Sequence, residues 1–194
     1  MARRTKSLCL ATLLALACFP AKPGSAAEII VSVPDQEMAL ISRGRTLARY
    51  PVSTSKFGIG DGVGTYRTPL GVMYVSAKVG DNLPLGAVIK SRIPTGEVLA
   101  ANAPGRDPIV SRVLWLRGKE ERNQNARERC IYIHGTAEER LIGRRASYGC
   151  IRMRSKDVIA LYTRVHIGTP VTIADKPLSD FIPPEEETLL SRPY

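Results

Sequence analysis

The chain has 194 residues, with 28 Lys+Arg against 18 Asp+Glu and a formal charge of +10. A composition of 44% hydrophobic and 24% charged residues is that of a globular protein and excludes a disordered chain, and the length suits one domain with a sizeable core rather than two. The basic excess suggests a polyanionic partner (nucleic acid, an anionic membrane or another acidic polymer) unless part of it belongs to a removable segment.

Residues 1–27 read as an export signal. Arg3, Arg4 and Lys6 form a basic start, Leu8 to Phe19 is apolar, and Ser25-Ala26-Ala27 suits cleavage before Glu28. The apolar run is too short for a membrane span of about 20 residues, which counts against an uncleaved anchor. Ala15-Leu16-Ala17-Cys18 offers a minority alternative, a lipoprotein cleaved before Cys18. Four of the basic residues and none of the acidic ones lie before Glu28, so the remainder carries +6. The expected destination is the periplasm or cell wall, a compartment that permits disulfides and holds no nucleic acid.

From Glu28 to Ala174 the pattern predicts a mainly β domain, a sandwich or barrel with many loops. Glu28–Val33 ends at Pro34-Asp35, and Met38–Ser42 and Thr46–Ser53 flank Arg43-Gly44 as a hairpin. Further strands are expected at Val72–Ser76, Ala87–Lys90, Glu97–Ala101, Val110–Leu116, Cys130–His134 and Pro170–Ala174. One helix follows the N-cap candidate Ser155, with Val158, Leu161, Tyr162 and Val165 on one face and Gly168 and Pro170 as its stop. Residues 175–194 form a Pro-rich acidic tail that packs loosely or lies on the surface. The alternating glycines of Gly58–Gly64 match neither dinucleotide-loop nor phosphate-loop spacing and read as a flexible loop beside a site.

The chemistry concentrates at two places. His134 ends an apolar strand and runs into Gly135-Thr136; sixteen residues later comes Ser147-Tyr148-Gly149-Cys150-Ile151-Arg152-Met153. A histidine at a strand end can take the proton of a thiol, and a glycine turn can aim backbone N–H groups at an oxyanion. The helix that follows Cys150 favours a thiolate if its N-terminus points that way. The plainer alternative makes Cys150 a small buried hydrophobe and His134 a satisfied polar group.

These residues resemble the signature of the L,D-transpeptidase catalytic domain, the YkuD family. Tyr50-Pro-Val-Ser-Thr-Ser55, Thr68-Pro69-x-Gly71 and Asp107-Pro-Ile-Val110 before Leu114-Trp115-Leu116 extend the resemblance over about Ile29 to Ile173. Many members carry histidine where this chain has Tyr148, which puts donor preference and rate in question. The resemblance implies an L,D-transpeptidase-like β-sandwich with its principal helix after the catalytic cysteine, and acyl transfer on peptidoglycan stem peptides. Cys150 would be the nucleophile and His134 the general base and acid, with the Gly135 carbonyl orienting the imidazole. The Gly149 and Cys150 N–H groups would line the oxyanion hole. The acylated third residue is commonly diaminopimelate, the leaving group D-alanine, and the acceptor a second stem, a lipoprotein lysine, a free D-amino acid or water. Carbapenem-type β-lactams would acylate Cys150.

Substrate contacts are sought at Arg152, Tyr148, Ser147 and Thr136. Arg152 either meets a substrate carboxylate or bonds backbone carbonyls of the turn; Ser147 reads better as a turn residue; Tyr148 either lines the cleft or packs. No cofactor or metal is expected. If 130–134 is extended, Cys130 and His134 lie about 13 Å apart at ~3.3 Å per residue, too far for zinc shared with Cys150 and His166. His166 reads as a surface or capping residue. A Cys130–Cys150 disulfide would consume the nucleophile, so the catalytic reading expects Cys130 to be a free core cysteine. The reading of another class is a non-catalytic wall-binding scaffold on the same fold.

Overall fold

The computed structural model describes residues 27–182. The expected export signal, Cys18 and the Glu185–Glu187 run lie outside these, save for Ala27. Ten strands and one α-helix follow in order: β1 Glu28–Ser32, β2 Glu37–Ser42, β3 Arg45–Pro51, β4 Gly71–Val79, β5 Ala87–Lys90, β6 Ile93–Val98, β7 Ile109–Gly118, β8 Tyr132–Thr136, β9 Ile151–Met153, α1 Ser155–Tyr162 and β10 Pro170–Ala174. The domain is mainly β, and its sheet is mixed.

The strands pair in the order β3-β2-β1-β10-β4-β7, and β7 passes the sheet on to β8 and then β9. The β5–β6 hairpin joins β7 at its first residues, Ile109 and Val110. β1 with β10 and β8 with β9 are parallel. The two ends of this path meet. Just beyond β3, Ser53 forms an antiparallel bridge to Arg152 of β9, with both N–H···O bonds at 2.9 Å. The sheet is thereby rolled into two continuous walls around one core, which removes its open edges there.

Period-2 alternation sorts the side chains of the closing strands. Leu114, Leu116, Ile131, Ile133, Ile151 and Met153 enter the main core with Ile29, Val31, Met38, Leu40, Met73 and Ile173. Val113, Trp115, Tyr132 and Cys150 face the other way and pack with Ile89. Helix α1 buries Val158, Leu161 and Tyr162 in the main core; Val165 joins them from beyond its end.

Several boundaries depart from the sequence expectation, each for a local reason. Ser155 is the first helical residue rather than the cap; Arg154 holds the cap position, and the Glu139 carboxylate accepts the Ser155 N–H at 2.8 Å. Ser91 and Arg92 both adopt positive φ, so β6 starts directly after a two-residue turn, four residues earlier than expected. Cys130 also has positive φ, which ends the extended run and starts β8 at Tyr132; the ~13 Å separation used against zinc therefore loses its premise. Among the described residues no group of three His, Cys, Asp or Glu side chains gathers as a metal site. The start of the tail packs firmly: Leu178 is buried against Ile30, Ala39 and Ile41, and its N–H donates to Asp35 at 2.6 Å.

The glycine-rich loop is tied down rather than free. Arg129 reaches it from the segment before β8, donating to Asp61 Oδ1 at 3.0 Å, to the Gly60 carbonyl at 3.1 Å and to the Arg67 carbonyl at 2.6 Å. Asn125 N–H adds a 2.8 Å bond to the same carboxylate. Both members of the ion pair are over nine-tenths buried. Removing one partner would leave the other charge buried and alone, so Asp61→Ala should lower the unfolding free energy by about 3 kcal/mol. Urea titration measures it, and a loss below about 1 kcal/mol would show that the pair does not hold the loop.

Candidate active site

His134 and Cys150 sit on neighbouring parallel strands at the closing edge of the sheet. Ile133 pairs with Ile151 and His134 with Arg152, so Cys150 lies opposite Tyr132, two residues from His134 on the same face. The Tyr132 N–H points at Cys150 Sγ, 3.4 Å away. Two residues along and one strand across is about 8 Å between Cα atoms, a gap that an imidazole and a thiol can span.

The imidazole is buried and has one defined partner, with Nδ1 2.9 Å from the Gly135 carbonyl oxygen. A carbonyl only accepts, so Nδ1 carries the hydrogen and Nε2 is left with a free lone pair. Gly135 makes this geometry possible, since a Cβ there would lie 2.5 Å from the Val110 carbonyl oxygen. Burial presses the His134 pKa down to about 4; the bond to Gly135 opposes this, and the Arg152 charge adds to it.

Cys150 is half-buried, and its thiol donates to the Cys130 carbonyl at 3.3 Å. Burial pushes this thiol up to about 11, against the Tyr132 N–H bond, which favours the thiolate. The helix does not supply a thiolate here. Strand β9 separates Cys150 from Ser155, and the Glu139 carboxylate already occupies the helix start. The resting pair is therefore a neutral thiol beside a neutral imidazole. Cys130 and Cys150 are free cysteines. Cys130, expected as a free core cysteine, is half-buried and packs beside Cys150 against the smaller cluster of Ile89, Val113 and Tyr132.

The turn before Cys150 is held by its own side chains. Ser147 Oγ donates to the Cys150 carbonyl at 2.6 Å and accepts the Gly149 N–H at 3.2 Å. Gly149 has φ of +116°, and a Cβ would lie 3.2 Å from both the Arg67 carbonyl oxygen and Ile131 Cδ1, so the position requires glycine on two counts. Tyr148 is exposed and groups with Phe57 and Tyr66, with ring centroids 5.6 to 6.0 Å apart. Lys56 Nζ stands over the Tyr148 ring at 4.3 Å. The sequence reading did not include Phe57 and Tyr66; their one signal was that they bracket the glycine-rich loop.

Arg152 is committed inside the protein. Its guanidinium ion-pairs with Asp107 and, at 3.4 Å, with Glu138; it donates to the Ala146 carbonyl at 3.1 Å and to Thr136 Oγ1 at 3.0 Å. Thr136 is fully buried, donates to Asp107 and accepts the Glu138 N–H at 3.0 Å. These two residues brace the site from behind, and neither presents a free group at the surface. Glu138 and Glu139 were not picked out from the sequence, and Asp107 only as part of the segment Asp107–Val110 with no role, because nothing local marks an acid whose partner lies 14 to 45 residues away.

Comparison with known proteins places this arrangement. The YkuD family, described as the L,D-transpeptidase catalytic domain, matches residues 26–173. The YkuD protein of Bacillus subtilis (strain 168) is 56% identical over 85 residues, 44% of this chain and 47% of that protein. The ErfK/SrfK protein of Salmonella typhimurium is 42% identical over 57 residues, 29% of this chain and 18% of that protein. The matched segments thus span less than half of either relative. In fold, the chain is similar to an L,D-transpeptidase from Mycobacterium smegmatis, at a TM-score of 0.52 and 18% identity over 77% of this chain and 59% of that one. It is also similar to L,D-transpeptidase 3 from Mycobacterium tuberculosis, solved with a faropenem-derived adduct, at a TM-score of 0.51 and 17% identity over 76% of this chain and 60% of that one. With the family covering the whole sheet from β1 to the end of β10 but its last residue, and both His134 and Cys150, the chain belongs to the YkuD family of L,D-transpeptidase catalytic domains.

Proposed function

We propose that this protein is an exported cysteine acyltransferase acting on peptidoglycan stem peptides, with Cys150 as nucleophile and His134 as general base and acid. One observation carries this reading: a neutral imidazole fixed through Nδ1 to Gly135 shares a sheet face with a thiol on the next strand. As Sγ attacks the carbonyl of the third stem residue, Nε2 takes the thiol proton. The tetrahedral intermediate collapses, His134 returns the proton to the departing D-alanine amine, and a thioester remains on Cys150. An amine of a second stem then attacks the thioester with the same histidine as base, giving a 3→3 cross-link and freeing the thiol.

The burial-shifted values define how the proton moves. With the thiol near 11 and the imidazole near 4, an ion pair formed ahead of attack is strongly disfavoured, so proton transfer accompanies bond formation. The Tyr132 N–H stays on sulfur throughout. The Gly149 N–H, held by Ser147 at 3.2 Å, turns to the oxyanion when charge develops there, alongside the N–H of Cys150. Tyr148 with Phe57 and Tyr66 forms an aromatic wall beside the turn. The periplasm or cell wall, proposed from the N-terminal segment, is where this substrate is found.

Mature protein incubated with diaminopimelate-containing tetrapeptide muropeptides should yield a cross-linked dimer lacking one D-alanine by mass spectrometry. Tripeptide alone would reassign the acceptor to water, and no product together with no Cys150 adduct would leave a binding scaffold. A carbapenem should shift the intact mass of wild type and not of Cys150→Ala.

The pH dependence separates this neutral pair from a preformed ion pair. Alkylation of Cys150 by iodoacetamide, followed by peptide mapping, should climb with pH and level off only near 11. Acylation by the donor should hold steady near neutral pH and fall as the pH drops through about 4, where His134 gains a proton and can no longer accept one. An alkylation plateau reached below pH 7 would contradict the neutral pair.

A further inference from the structure

Beside the thiol, on the face that carries Trp115 and Tyr132, lies a cavity of about 540 Å³ lined by Arg92, Trp115, Arg117, Arg127, Glu128 and Cys130. Two guanidiniums lie over the indole of Trp115, with Arg127 Cζ 4.1 Å and Arg92 Cζ 4.5 Å from its ring centroid. Arg127 donates to Ser76 Oγ at 2.6 Å and Arg92 to the Tyr132 hydroxyl at 3.2 Å. Arg117 lies two residues beyond Trp115 on β7 and is exposed. Among the described residues none of the three forms an ion pair, and Glu128, the one acid of the lining, pairs with none of them.

Stacking accounts for Arg92 and Arg127 as covers for the indole. It does not account for Arg117, nor for three like charges around one concavity whose single carboxylate, Glu128, pairs with none of them. An anion offsets them, and the planar fork of a guanidinium matches a carboxylate with two parallel bonds. The cavity is also joined to the nucleophile: Cys130 lines it while its carbonyl accepts the Cys150 thiol at 3.3 Å, and Tyr132 holds Arg92 by its hydroxyl and Cys150 by its N–H.

We propose that Arg92, Arg117 and Arg127 around Trp115 form a carboxylate-binding subsite that holds a free carboxylate of the peptide substrate while the neighbouring carbonyl meets Cys150. This rests on the acyl-transfer reading above. Two carboxylates have the right chemistry, the one on the side chain of the acylated residue and the one at the end of the leaving D-alanine. The subsite makes donor choice depend on charge at a position outside the His134–Cys150 pair.

Trp115 is the only tryptophan of the chain, so its fluorescence reports on this cavity directly. Arg117→Gln removes a guanidinium that has no internal partner, leaves the indole stack in place and should keep the melting temperature of wild type. Three donor tetrapeptides are compared on the full mature chain: all carboxylates free, the side-chain carboxylate of the third residue amidated, and the terminal carboxylate amidated. For wild type, one amidation should raise KM about tenfold with kcat little changed, and which one identifies the carboxylate bound. Arg117→Gln should raise KM for the free donor by a similar factor and lose the discrimination. The Trp115 emission should shift saturably with the free donor and not with the discriminated one.

Equal handling of all three donors by wild type, discrimination retained by Arg117→Gln, or an equal Trp115 response to inorganic phosphate would each overturn the subsite. Absence of turnover with a carboxylate-selective Trp115 response would remove the acyl-transfer reading and keep the subsite. Absence of both would remove both.

Discussion

A buried guanidinium has to be surrounded by acceptors, and Arg152 gathers its acceptors from three separate stretches of chain. Asp107 comes from before β7, Thr136 from the end of β8, Glu138 from the segment after it, and the Ala146 carbonyl from the start of the catalytic turn. The backbone of the same residue closes the rolled sheet against Ser53. Its register partner is His134, and Cys150 stands two residues before it. The residue that closes the fold against Ser53 is thus also the one paired with His134 in the β8–β9 register that sets the spacing of imidazole and thiol. Losing it would loosen the sheet and the site together, which is why a charge that is costly to bury is tolerated there.

Burial has a second consequence at this closing edge. A solvated cysteine–histidine pair can exchange a proton at rest, but desolvation raises the thiol and lowers the imidazole together. The site then holds its proton until a substrate carbonyl provides somewhere for negative charge to develop. Tyr132 links this centre to the arginine-lined cavity through its two polar groups, with its N–H on Cys150 Sγ and its hydroxyl accepting from Arg92. Some of the basic excess visible in the composition is thereby located beside the chemistry rather than spread over the surface.

The fold class was legible because alternation and turn residues are local signals. Arg43-Gly44 marked a hairpin whose turn residues both adopt positive φ, and Val158, Leu161 and Tyr162 marked a helix face that does enter the core. The boundaries that moved did so where conformation overrode residue type. Cys130 sits in an apolar run that reads as strand, yet it turns out of the sheet; Ser91-Arg92 forms a tight turn without the usual glycine or asparagine. Strand β9, only three residues long, is made by pairing with β8 and carries no pattern of its own.

The site divides along the same line. His134, Gly135, Gly149 and Cys150 could be found from the sequence because their residue types and short spacings form a motif that a single linear reading detects. Ser147 was already legible as a turn residue, but what Arg152 and Thr136 do was not, since a hydroxyl or guanidinium that bonds the protein looks the same in a sequence as one that waits for substrate. The protonation state of the pair, the acids that hold Arg152, and the meeting of Arg92, Trp115 and Arg127 beside Cys130 depend on groups up to 45 residues apart. Sequence determined the family, the candidate nucleophile and the β class, because motifs and alternation are read along the chain. Tertiary structure alone decided electrostatics and pairing, because desolvation and charge act through space.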